Sequence, residues 1–236
     1  MEALIFDCDG VIVDTERDGH RVAFNKAFAL KGIDAAWGID QYRELVHVAG
    51  GKERMRHYFN QTGWPGQYPE REQLIIELHK LKTELFMELI ASGTLALRPG
   101  VARLIDEAIN QGIRLAVCST SNEKAVNTII DVMLGTERKR AFNTILAGDV
   151  VSRKKPDPEI YLLCQRELAV DPKKCVVVED NRNGLMAAKS AGMVCLVTTN
   201  PYTVSEDFSE ADMVVDQLGD GAEIKVSIHD LMNLIT

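Results

Sequence analysis

Two short acidic stretches stand where buried strands would end. In ALIFDCDGVIVDTE, Asp7 and Asp9 follow the apolar run Ala3 to Phe6; in CVVVEDNRNG, Glu179 and Asp180 close the run Cys175 to Val178. Open α/β sheets bind ligands outside the carboxyl ends of their strands. Neighbouring carboxylates repel unless a cation or a shared proton offsets them, and an all-oxygen ligand set points to a divalent ion, Mg2+ above all. A calcium loop fits poorly: with Asp7 as its first position, Val11 falls where an oxygen ligand belongs and Ile12 where glycine belongs. A plain Asp-Gly turn is the competing reading of the first stretch.

Other segments offer groups for an anion. Ser119 and Thr120 end the run beginning at Ile113, and their hydroxyls and the following amides suit either an anion or a cap on the next helix. Lys155 precedes Pro156, which biases it toward extended geometry, while Asp157 and Pro158 would start a helix. The Lys154-Lys155 pair also fits a solvated surface. Gly50 and Gly51 lead into Lys52, Arg54 and Arg56, an anion site or a basic helix face. Lys82 interrupts an apolar helical stripe of Leu78, Leu85, Phe86 and Leu89, which at ~100° per residue lie within roughly 60° of it. It either snorkels outward or makes a cationic contact. Cys8, between the two acids, would offer its backbone amide and not its thiol.

These residues need a frame. Short apolar runs at 3–6, 113–118, 175–178, 194–197 and 213–215 read as parallel strands, and helical stretches at 101–110, 123–133, 158–167 and 184–191 alternate with them. That pattern predicts an α/β fold with a doubly wound, Rossmann-like parallel sheet. The first two strands are separated by about 105 residues, far more than one crossover helix requires. Helical patterns at 21–31, 40–46, 52–61 and 71–91, with the loop GWPGQYP between the last two, fill that gap. The expected organisation is a core of residues 1–14 and 94–236 with a small all-helical cap at 15–93; Arg98, Pro99 and Gly100 mark the return, where Pro99 would open the next helix.

With 236 residues, 46% hydrophobic and 26% charged, the chain is an ordinary globular protein, neither disordered nor a disulfide-stapled mini-protein. A net charge of −8 repels nucleic acid over most of the surface, so a phosphate-bearing ligand must be held locally. No apolar run approaches the ~20 residues of a membrane span. The N-terminal stretch, with four apolar positions before Asp7 and no basic start, does not read as an export signal, and five scattered cysteines, odd in number, read as free thiols.

In order, the DxDG stretch, the hydroxyls after a strand, Lys-Pro and the Glu-Asp pair resemble the haloacid dehalogenase superfamily of phosphohydrolases over essentially the whole chain. The cap segments GGKERMRHYFNQTGWP and LHKLKTELFMELI, with LRPGV and CSTSNEKAV, are similar to CbbY-type phosphatases, which act on xylulose-1,5-bisphosphate, a misfire product and inhibitor of Rubisco in photosynthetic organisms. The resemblance implies that Asp7 is the nucleophile forming an aspartyl-phosphate and Asp9 the general acid and base. It implies Mg2+ on Asp7, the Asp9 carbonyl and Asp180, with Glu179 nearby through water. Ser119, Thr120 and Lys155, with the Cys8 and Gly10 backbone, would hold the transferring phosphoryl group. Glu16, His20, Gly50, Gly51, Lys52, Arg54 and Lys82 would serve the sugar and its second phosphate. Asp9 argues against dehalogenation, since a halide leaving group needs no acid. A sugar-phosphate mutase of the beta-phosphoglucomutase type is the alternative, although such mutases usually carry lysine where this chain has Asn122. The expected partner is a small sugar bisphosphate; a monomer is expected, in the plastid stroma or a bacterial cytoplasm.

Overall fold

In the computed structural model, which describes residues 1–48 and 50–235, the elements run in the order β1 Ala3–Phe6, α1 Arg21–Leu30, α2 Ile39–Val46, α3 Gly51–Thr62, α4 Arg71–Ala91 and α5 Val101–Asn110. They continue with β2 Arg114–Ser119, α6 Glu123–Ile129, α7 Gly135–Ala141, β3 Phe142–Ala147, α8 Glu159–Leu168, β4 Cys175–Glu179, α9 Arg182–Ser190, β5 Val194–Thr198, β6 Met213–Val215 and α10 Ile228–Asn233. Two compact units result, Met1–Asp14 with Ala96–Thr236, and Thr15–Leu95.

The first unit is built on a parallel sheet, six-stranded among the described residues, in the order β3-β2-β1-β4-β5-β6. The order reverses at β1, which pairs with β2 on one side and β4 on the other, and such a switch point opens a crevice at the strand ends. Sheets covered by helices on both faces need strands that are apolar throughout. Accordingly Ala3, Leu4, Ile5 and Phe6 are all buried, as is every residue of β4. Ala3, Ile5, Ala116, Cys118 and Val177 share a core with Ile160, Tyr161 and Cys164 of α8 and Leu185 of α9. The five cysteines are all buried, unbridged thiols.

The doubly wound α/β sheet read from the sequence is present, with differences in detail. Strand β3 is additional to the expected strands: as an edge strand it buries Phe142, Leu146 and Ala147 but exposes Asn143, so it forms no continuous apolar run. The helix expected at 123–133 is α-helical to Ile129, widens to a π-helix over Ile130–Leu134 and is followed by α7 from Gly135. Pro99 does not open α5; Gly100, in the left-handed region at φ 87°, precedes the helix instead. The short α10, whose N-terminus is held by a reciprocal Ser227–Asp230 capping box, is a further helix beyond those expected from the sequence.

The second unit packs α1 against α4, and α3 against α4. Its centre is aromatic: Trp37 lies 4.7 Å from Phe24 and 4.9 Å from Phe28 between ring centroids, with Tyr42 and Phe59 buried beside them. The GWPGQYP loop is tied to the end of α1, where Tyr68 Oη donates to the Lys31 carbonyl at 2.7 Å. Among the described residues no helix is long and apolar enough to cross a membrane.

Candidate active site

Register brings the acids together. Phe6 pairs with Val117 of β2 and Val178 of β4, so the residues that follow, Asp7, Cys118 and Glu179, emerge at one level. The Asp7 amide still donates to the Val178 carbonyl at 2.9 Å. The chain then turns sharply, with the Ile12 amide on the Cys8 carbonyl at 2.9 Å and the Gly10 amide on the Val13 carbonyl at 2.8 Å. Gly10 has φ 78°, and a Cβ there would overlap the Asp180 carboxylate. Cys8 points into the core, where burial, then Asp9 and Asp7, push its thiol well above its ordinary range.

Lys155 does not belong to a solvated surface; its side chain is 6% exposed. Its Nζ donates to Asp7 Oδ1 at 2.7 Å, Glu179 Oε1 at 2.6 Å and the Cys118 carbonyl at 2.8 Å. Tyr161, from α8, lies with its ring 5.0 Å from the same ammonium and donates its hydroxyl to Glu179 Oε1. Ser119 is buried, accepts the Ser121 amide at 3.1 Å and donates to Asp9 Oδ2 at 3.4 Å. Thr120 beside it is exposed. Neither hydroxyl caps α6: Asn122 does, its Oδ1 accepting the amides of Lys124 and Ala125.

Asp7, Glu179 and Asp180 each present a carboxylate oxygen within 4.8 Å of the others, and all three are buried. One ammonium against three carboxylates leaves excess negative charge. Burial pushes Asp7 up to about 8, opposed by Lys155 and reinforced by Glu179 and Asp9. Burial, then Asp7 and Glu179, raise Asp180 well above the carboxylate range. Burial works against the charge on Lys155, yet Asp7 and Glu179 outweigh it and hold the ammonium above its ordinary range. An all-oxygen group with this surplus fits a hard divalent cation such as Mg2+. The Asp9 carboxylate stands outside the cluster, on Ser119.

Two features of the site were not read from the sequence. Arg98 donates to the Gly10 carbonyl and to the carbonyls of Thr198 at 3.0 Å, Thr199 at 2.6 Å and Asp216 at 2.8 Å, binding the DxDG turn to the loops after β5 and β6. Asn200, in the first of those loops, donates Nδ2 to Asp180 Oδ2 at 2.7 Å.

The remaining sequence candidates lie in the helical unit. Glu16 and His20 belong to a π-turn at Thr15–His20 that runs into α1. Tyr42 donates to Glu16 Oε2 at 2.6 Å and accepts from Arg54 at 2.5 Å, and Arg54 lies 3.7 Å from Glu16. Lys82 does not snorkel: only 9% exposed, it meets His20 Nδ1 at 2.9 Å and the rings of Phe24 and Phe86 at 4.8 and 5.2 Å. Burial, then the charges of Lys82 and Lys52, lower the His79 pKa. Gly51 packs against His79 and Phe24, whereas Gly50 is exposed beside Glu53. The unit thus gathers Glu16 with Arg54 and His20 with Lys82.

A haloacid dehalogenase-like hydrolase family model matches residues 1–192. A CBBY-like protein of Arabidopsis thaliana is 56% identical over 94% of this chain and 70% of its own length. The crystal structure of CbbY from Rhodobacter sphaeroides with phosphate is 44% identical, covers 93% of this chain and 96% of its own, and superposes with a TM-score of 0.75. A mutant of that protein in complex with xylulose-(1,5)bisphosphate matches at 43% identity over the same shares, also with a TM-score of 0.75. The ordered acids, hydroxyl and lysine on a switch-point sheet, together with these likenesses, make the chain a member of the haloacid dehalogenase-like hydrolase family, a sugar-phosphate phosphatase akin to the CbbY proteins.

Proposed function

We propose that this phosphatase hydrolyses xylulose-1,5-bisphosphate with Mg2+ through an aspartyl-phosphate on Asp7. The observation that carries the reading is the buried group of Asp7, Lys155, Glu179 and Asp180, in a chain 43% identical to a protein crystallised with that bisphosphate. The Asp7 carboxylate forms the new P–O bond while the ester P–O bond breaks, and Asp9 protonates the departing alkoxide. Asp9, now a carboxylate, takes a proton from the water that attacks phosphorus, which releases inorganic phosphate and restores Asp7. Ser119, the Thr120 amide, Lys155 and the Cys8 and Gly10 backbone hold the phosphoryl oxygens. Asp7, the Asp9 carbonyl and Asp180 would hold Mg2+, with Glu179 close by; the ion supplies charge neutralisation for the transferring phosphoryl group.

In the helical unit, Lys52, Arg54 and Lys82, with the Gly50 and Gly51 backbone, are assigned to the second phosphate, and Glu16 and His20 to sugar hydroxyls. By analogy with the plant relative, the setting is the plastid stroma and the role is removal of a Rubisco inhibitor; a monomer suffices for it. Steady phosphate release across a panel of sugar mono- and bisphosphates, with Mg2+ and with a chelator, tests the reading. Xylulose-1,5-bisphosphate should give the highest kcat/KM, and only with Mg2+. Preference for a monophosphate, isomerisation without phosphate release, or turnover in chelator would overturn it.

A further inference from the structure

Both oxygens of Asp180 are held by amide NH2 groups whose orientation is forced. Asn181 Nδ2 donates to Oδ1 at 2.6 Å, and Asn200 Nδ2 donates to Oδ2 at 2.7 Å. Each amide is turned that way because its own oxygen accepts a backbone N–H: Asn181 Oδ1 from Gly184 at 3.0 Å, Asn200 Oδ1 from Tyr202 at 2.9 Å. Asn181 belongs to the acidic motif and caps α9. Asn200 comes from a different loop and is 9% exposed; its backbone N–H donates to Thr203 Oγ1 at 3.2 Å, and the preceding carbonyls of Thr198 and Thr199 are fixed by Arg98.

A carboxylate crowded by Asp7 and Glu179 would rotate or take up a proton unless donors held it. Metal-ligating carboxylates owe their orientation to such outer hydrogen bonds, whose loss typically costs 10- to 100-fold in metal affinity. We infer that Asn200 is a positioning residue for Mg2+, acting through Asp180: the turn after β5, fastened by Arg98, presents a fixed donor that keeps Asp180 ready to ligate. The inference rests on the Mg2+ reading above.

Asn200→Ser is the discriminating variant. Serine keeps a turn of the same kind by accepting the Tyr202 amide, but is too short to reach Asp180. Mg2+ binding is measured by titration calorimetry on the intact protein, with the Mg2+ concentration for half-maximal phosphate release as a second readout. The variant should bind Mg2+ about 10-fold or more weakly, retain its thermal midpoint in chelator, and recover wild-type kcat at raised Mg2+. Undiminished Mg2+ affinity in the variant would overturn the positioning role alone. Lost activity that raised Mg2+ does not restore, with affinity intact, would also overturn it. If wild-type protein bound no Mg2+, the metal reading itself would fall, and this inference with it.

Discussion

Lys155 Nζ stands 2.7 Å from Asp7 Oδ1, and both side chains are nearly sealed from solvent. Asp7 follows β1, where the strand order reverses, and Lys155 lies far along the chain, so the pair ties two distant segments together at the switch point. The same ammonium also answers Glu179, which Tyr161 holds from behind. Removing one partner of a buried ion pair leaves the others uncompensated, at a cost of about 3–5 kcal/mol. Lys155→Met should therefore lose that much stability in urea unfolding with chelator present, as well as its phosphatase activity. A variant as stable as wild type would mean that the carboxylates do not depend on the lysine.

Gly10 is set between two demands. Its φ of 78° lies where side chains are strained, and a Cβ would overlap the Asp180 carboxylate, which Asn200 prevents from moving aside freely. Gly10→Ala should fold, because the sheet does not pass through this turn, and should lose phosphate release by displacing Asp180. Circular dichroism and phosphate release read on one preparation check this. Wild-type turnover would show that Asp180 tolerates the shift.

The acids were legible because each pair ends a continuous apolar run, a one-dimensional signal with a direct three-dimensional meaning at a switch point. Ser119 and Lys155 were legible only in their order with the acids, since a hydroxyl after a strand and a Lys-Pro pair have ordinary uses; here Asn122 takes the ordinary use, capping α6. Arg98 left no trace because it addresses four backbone carbonyls, which every sequence provides. Asn200 reads as a turn residue, and only the fold decides that its nitrogen faces Asp180. Strand β3 has no continuous apolar run to read, because as an edge strand it leaves Asn143 exposed and Thr144 and Ile145 half-buried.

Away from the site, Asp106 on α5 is joined to Arg138 on α7 by two hydrogen bonds of 2.7 Å. Those bonds, against the opposing effect of burial and with the help of the Arg138 charge, hold its carboxyl below the ordinary range. A depressed folded-state pKa stabilises the protein above the unfolded-state value, and the contribution is lost as pH falls through the folded value. Asp106→Asn should lower the urea midpoint at neutral pH, and the gap to wild type should close below the carboxylate range. A gap unchanged by pH would mean that the charge is not what the pair contributes.

Lys82 separates stability from specificity within the helical unit. An ammonium held among Phe24, Phe86 and His20 is an expensive group to bury, and replacing a buried charge with an apolar side chain is often neutral or stabilising. Lys82→Met preserves the length of the side chain and the apolar stripe of α4. Its thermal midpoint should match or exceed that of wild type. If Lys82 serves a second phosphate, the variant loses a charge-assisted hydrogen bond worth about 1.5–3 kcal/mol, roughly 10- to 100-fold in kcat/KM. That loss should fall on xylulose-1,5-bisphosphate and spare a small monophosphate ester, because only the bisphosphate carries the group the lysine addresses. Equal losses on both substrates would instead place Lys82 in support of the helical unit through His20.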